Sequence, residues 1–82
     1  MYNISRLQKD IADLEKKLSE EKKKEAQILK RISQIERSIS KSTSASTLRS
    51  KTQQIVRLND DIAKTRAKQA DLQKKISLKT SD

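Results

Sequence analysis

An aliphatic residue recurs every three or four positions from Ile4 to Ile39, and this stripe limits what the chain can fold into. In heptad notation, position a holds Ile4, Ile11, Leu18, Glu25, Ile32 and Ile39, and position d holds Leu7, Leu14, Glu21, Ile28 and Ile35. Nine of these eleven are apolar. Alternating spacings of three and four place them on one narrow line along an α-helix, the seam of a coiled coil. No glycine or proline occurs anywhere in the 82 residues, so nothing interrupts the helical period.

A second stripe runs from 48 to 76. Its a positions are Leu48, Ile55, Ile62, Gln69 and Ile76, and its d positions are Lys51, Leu58, Thr65 and Leu72. Six of these nine are apolar, which makes a weaker seam. The two stripes are out of phase, because nine residues rather than seven separate Ile39 from Leu48. At ~103° per residue the two extra residues turn the second stripe by about 205°, onto the opposite face of any continuous helix. A chain reversal removes the conflict; the competing arrangement is a continuous rod with a weak point.

The weak point is visible in composition. Ser38, Ser40, Ser42, Thr43, Ser44, Ser46 and Thr47 crowd ten residues. Hydroxyl side chains compete for the backbone inside helices but make good N-caps, and Ser44 or Thr47 can cap a second helix. The expected architecture is therefore all-α, a single module over 1–82 folded as an antiparallel helical hairpin. Helix one is expected over about 4–41, a turn over about 42–46 and helix two over about 47–78.

Folding about that turn sets Ile39 opposite Leu48, Ile32 opposite Ile55 and Ile11 opposite Ile76. The polar seam positions then meet as well: Glu21 and Glu25 of the first helix face Thr65 and Gln69 of the second, with Arg66 in reach of either carboxylate. A buried carboxylate needs a partner, so a polar layer is cheaper when both helices are polar at one level. Such a layer fixes register rather than performing catalysis.

Two packed helices leave much of each seam open. The neighbouring b positions are small: Ser5, Ala12, Ser19, Ala26, Ser33 and Ser40, then Val56, Ala63, Ala70 and Ser77. Leu29, beside Ile28 and Ile32, widens the apolar face. These features predict that two hairpins associate into a four-helix bundle, with the chain's own copy as partner.

The remaining composition narrows function mainly by exclusion. Without cysteine or histidine there is no disulfide framework, no thiolate or imidazole metal ligand and no histidine base. Without glycine there is no phosphate-binding loop or dinucleotide fingerprint. No catalytic residue, cofactor or metal is expected. No apolar run reaches the ~18 residues of a membrane span. The opening Met1-Tyr2-Asn3-Ile4 lacks a signal-peptide core, so a cytoplasmic, membrane-free protein is expected. The net charge of +9 can attract nucleic acid. Most Lys and Arg, however, lie among acidic neighbours at helical spacing, with acid-before-base pairs at i,i+4 in Asp13/Lys17, Glu20/Lys24, Asp60/Lys64 and Asp71/Lys75. The run Lys22-Lys23-Lys24 is likewise flanked by Glu20, Glu21 and Glu25. A solubilising helix surface ranks above a nucleic-acid site on this pattern.

The stretch Gln34-Ile35-Glu36-Arg37-Ser38-Ile39-Ser40-Lys41-Ser42-Thr43-Ser44-Ala45-Ser46-Thr47-Leu48-Arg49-Ser50-Lys51, followed by Ala70-Asp71-Leu72-Gln73-Lys74-Lys75, resembles the N-terminal coiled-coil region of bacterial Toll/interleukin-receptor (TIR) domain proteins. The resemblance covers roughly residues 30–78. It implies helices that precede an NAD-hydrolysing TIR domain whose catalytic residues lie outside this chain. The expected function is non-catalytic oligomerisation of such attached effector domains, in bacterial defence or signalling. The alternatives are a basic hairpin that binds nucleic acid and a docking module for another coiled-coil protein.

Overall fold

A computed structural model of the chain describes residues 4–80. The opening Met1–Asn3, which entered the targeting expectation, lies outside the described residues. The chain is all-α. Helix α1 runs Ile4–Ser38 and helix α2 runs Ala45–Thr80. They fold back on one another as a helical hairpin, a rod 68 Å long and 14 × 13 Å across.

Both helices are long because no residue in them breaks the backbone ladder, and each buries a single stripe. Basic residues in the last turns, Arg37 of α1 and Lys79 of α2, complement the negative end of each helix dipole. The cross-helix bonds run antiparallel. Lys51 reaches Ser38 beside the turn; Thr65, Arg66 and Gln69 reach Glu21 and Glu25 at mid-length; Lys79 meets Asp10 near the open end.

The connection spans 39–44, earlier than the expected 42–46. Helix α1 stops at Ser38 rather than near 41. The Ser38 hydroxyl turns back to donate to the Ile35 carbonyl at 2.5 Å, and the Ile39 amide closes a tighter turn on Glu36 O at 3.2 Å. Lys51 Nζ then donates to the Ser38 carbonyl at 3.1 Å, supplying a terminal acceptor with the donor it lacks within α1. Ser40 and Thr43 tie the middle of the loop. The Thr43 amide donates to Ser40 O at 3.1 Å, and the Ser40 amide donates to Thr43 Oγ1 at 2.9 Å.

Helix α2 starts at Ala45 rather than 47, because Ser44 and not Thr47 is the cap. Ser44 Oγ accepts the Thr47 amide at 3.3 Å, and Ser44 O accepts the first helical bond, from the Leu48 amide at 2.9 Å. Ser46 and Thr47 are therefore inside the first turn. Among the described residues none has a positive φ, so the chain reverses without the left-handed residue that usually closes a helix. Hydroxyls and one lysine do that work here.

Replacing Ser44 by Ala is expected to destabilise the fold by ~0.5–2 kcal/mol, while Asp at the same position restores most of it. Urea or thermal unfolding followed by circular dichroism at fixed protein concentration checks this. Equal stability of the Ala variant and the parent would remove Ser44 as the cap.

Candidate functional site

The hairpin interior is thin. Among the described residues its buried aliphatics are Leu18, Ile32, Ile62 and Ile76, and none is fully enclosed. Leu7, Ile11, Leu14, Ile28, Ile35, Ile39, Ile55, Leu58 and Leu72 are half-buried along the same line. Two residues assigned to the seam are exposed instead. Ile4 is the first residue of α1 at the open end of the rod and is 60% exposed. Leu48, in the first turn of α2, is 41% exposed, because α1 has already ended at Ser38 and offers no helical surface opposite it.

The most enclosed residue described is polar. Thr65, at 4% exposure, sits on α2 against the middle of α1. Its hydroxyl lies 3.0 Å from the Glu21 backbone carbonyl and 3.1 Å from Glu21 Oε1. With one proton to donate, it bridges two acceptors of the same residue. Reaching a backbone carbonyl of the opposite helix requires close approach, and threonine is short enough to allow it. Gln69, one turn further on, donates from Nε2 to Glu25 Oε1 at 3.2 Å and lies 3.5 Å from both Glu21 O and Thr65 Oγ1.

Two basic residues complete the layer. Arg66 Nε donates to Glu25 Oε1 at 3.2 Å, so of the two carboxylates in reach it serves Glu25. Lys24 pairs with Glu21 Oε2 at 3.1 Å. That contact replaces the anticipated pairing of Lys24 with Glu20. The seam holds the Glu21 carboxylate, at 12% side-chain exposure, in one place, whereas Glu20 points to solvent. Of the other anticipated surface pairs, Asp71–Lys75 forms at 3.2 Å. Asp13 with Lys17 and Asp60 with Lys64 are not ion-paired among the described residues. Such pairs on a free helix surface gain only a few tenths of a kcal/mol.

Every buried side-chain nitrogen and oxygen among the described residues has a hydrogen-bond partner. The Lys24 ammonium and, secondarily, the Thr65 hydroxyl hold the Glu21 carboxyl below its ordinary range, against the opposing effect of burial. Both carboxylates are engaged by donors that belong to the fold, so the arrangement acts on register. Sliding the helices by one heptad would set Glu21 against Leu58 or Leu72 and leave a seam carboxylate without donors.

Two long-range contacts had no signature in the periodicity: Lys51 on the end of α1, and Lys79 with Asp10 at 3.6 Å. Lys51 occupies a d position, and its stem lies half-buried while its ammonium reaches past the seam. Among the described residues no group of three or more Asp and Glu is arranged to hold a metal ion, and no helix is long and apolar enough to cross a membrane. No family model, curated protein or solved structure matches this chain.

Truncating Thr65 to Ala removes the donor from two enclosed acceptors and is expected to cost ~1–3 kcal/mol, read from denaturant unfolding. A change below a few tenths would show that the layer contributes nothing to the folded state. Acid should act through Glu21. A carboxylate whose pKa is lowered on folding stabilises the folded chain above the ordinary value of 4.5. That contribution is lost as pH falls through the lower, folded value. Thermal stability is therefore expected to drop on acidification below about 4.5. The drop should be smaller in Glu21→Gln, and identical pH profiles for the two chains would contradict this assignment.

Proposed function

We propose that this chain is a non-catalytic oligomerisation module in which two hairpins pack into a four-helix bundle and so bring attached effector domains together. The observation that carries the reading is the incomplete core: among the described residues only four aliphatic side chains are buried, and none fully. Each fully buried Leu or Ile contributes ~1.5–3 kcal/mol, against ~1–2 kcal/mol of backbone entropy per ordered residue. A single hairpin is marginal on those terms, and a second layer would bury the half-covered seam.

The two flanks of the rod differ in a way that favours one face for that layer. In an antiparallel pair the b and e positions of both helices share a flank, as do the c and g positions. The first flank carries Ala12, Ser19, Ala26 and Ser33 on α1 with Val56, Ala63 and Ala70 on α2, all exposed. Leu29 and Val56, 43% and 54% exposed, fall on it at nearly the same level. The opposite flank carries Asp10, Lys17, Lys24 and Arg31 facing Asp61, Lys68 and Lys75. The first flank is the less charged, with Glu15, Lys22, Glu36, Arg49 and Arg66 as its charged residues, and its small b-position side chains let a second hairpin approach closely, whereas the more highly charged flank favours water.

The effector we propose is a TIR domain that hydrolyses NAD, in a cytoplasmic bacterial defence or signalling protein. Its support is the resemblance of residues 34–51 and 70–75. Clustering fits a module whose own residues are committed to helix contacts, since such domains generally act when assembled.

Sedimentation velocity across a concentration series tests the association. A compact particle of twice the chain mass is expected, dissociating on dilution. Introducing charge at the proposed interface, with Leu29→Lys and Val56→Lys together, should weaken association at least about 100-fold, from ~1.5–3 kcal/mol per buried side chain. A parent chain that stays monomeric at every concentration would overturn the proposal. An unchanged dimer in the double variant would move the interface to the other flank.

A further inference from the structure

The outer edge of α1 carries a basic residue in every heptad. Lys9, Lys16, Lys23, Lys30 and Arg37 are spaced seven apart within one uninterrupted helix. At 1.5 Å per residue the neighbours are about 10.5 Å apart, and the row is about 42 Å long. All five side chains are exposed. Among the described residues none of them is ion-paired, although four other basic residues are.

The general basicity of the chain does not account for the row. The matching edge of α2 carries Gln53, Asp60, Ala67 and Lys74. α2 carries the larger net charge of the two helices, but it does not gather that charge into a row along its outer edge as α1 does. Towards the turn the row is also undiluted: no acid lies three or four residues from Lys30 or Arg37. A spacing of about 10.5 Å is close to one Debye length at physiological ionic strength. Mutual repulsion along the row is then largely screened, while the charges still add for a partner that lies along all of them.

We infer that this edge of α1 is a sequence-independent docking surface for the phosphate backbone of double-stranded nucleic acid. The charge complementarity is linear, a stiff cationic row against a stiff polyanion. Duplex DNA bends only over ~50 nm and presents one charge per ~1.7 Å of axis over its two strands, so a straight row crosses the phosphate backbones repeatedly along its length whatever register it takes. Lysine, a point charge on a mobile stem, suits such unspecific contacts. A single strand is disfavoured, because the edge has no aromatic residue for bases to stack on. An anionic membrane is disfavoured because the residues flanking the row are small or polar, Ala12, Ser19 and Ala26 among them, with nothing to insert among acyl chains.

Fluorescence anisotropy of a labelled DNA duplex of about 20 base pairs, titrated with the intact chain, tests this. If all five charges engage, the salt slope approaches about −4.5, and affinity falls about 500-fold between about 50 and 200 mM salt. Two variants that lose the same five charges separate the row from net charge. One changes Lys9, Lys16, Lys23, Lys30 and Arg37 to Gln; the other changes Lys17, Lys22, Lys64, Lys68 and Lys74 to Gln. The row variant is expected to lose at least about 100-fold in affinity and most of its salt slope, and the scattered variant less than about 10-fold. Circular dichroism verifies the fold of each. Should the row variant unfold, the pair Lys30→Gln with Arg37→Gln, compared with Lys64→Gln plus Lys68→Gln, gives the same contrast. Equal weakening in both variants would overturn the proposal, as would no binding by the parent at the lower salt. Binding to phosphatidylserine-containing vesicles but not to duplex would reassign the edge to a membrane surface. Each outcome is independent of whether hairpins dimerise, which sedimentation reads separately.

Discussion

Two narrow stripes, each too thin to shelter a core alone, cover one another along the length of the hairpin. Everything else in the structure follows from keeping them aligned. The chain has no large aromatic side chain in its described part to anchor a wider interior. Burial is therefore spread over many half-covered Leu and Ile residues and concentrated in Leu18, Ile32, Ile62 and Ile76. Alignment matters more than the quality of any single contact, because a rod of this kind can slide as well as open.

The polar layer restrains sliding. Aliphatic pairs such as Ile32 with Ile55 tolerate replacement by the next pair in the heptad, since one Ile or Leu is much like another there. The Glu21–Thr65 and Glu25–Gln69 contacts are different, because each acceptor has one set of donors in one register. Arg66 and Lys24 add charge-assisted bonds to the same two carboxylates. The layer costs apolar area in the middle of the rod and gives discrimination between registers in return.

The turn meets a related difficulty at the other end of the scale. A chain without glycine reverses between two helices of about equal length, so both helix ends must be satisfied by side chains. Ser38 and Lys51 serve the carbonyl end of α1, and Ser44 serves the amide end of α2. The incomplete cover of the seam, the less charged flank beside it and the basic edge of α1 then leave three faces with different chemistry. The proposed second hairpin and the proposed nucleic-acid duplex would occupy adjoining faces of α1, which meet at Ala12, Ser19 and Ala26.

Periodicity made this chain helical and favoured a reversal over a continuous rod, and the Ser/Thr-rich stretch placed that reversal near residues 42–46. A spacing of three and four is a local property, and the nine-residue break between Ile39 and Leu48 is incompatible with one shared face. The four polar seam residues could be named for the same reason, as the seam positions that are neither aliphatic nor next to the turn. Their bonds were decided by tertiary structure. That the Thr65 hydroxyl reaches a backbone carbonyl of α1, that Lys24 turns to Glu21 and not Glu20, and that Arg66 serves Glu25 depend on how closely and at what rotation the helices meet. The ends of the elements belong to the same class. Seven hydroxyl residues in a row of ten offer several caps of similar strength, and only the packed geometry selects Ser38 to end one helix and Ser44 to begin the next. It also exposes Ile4 and Leu48, because a seam residue is buried only where the opposite helix is present to cover it.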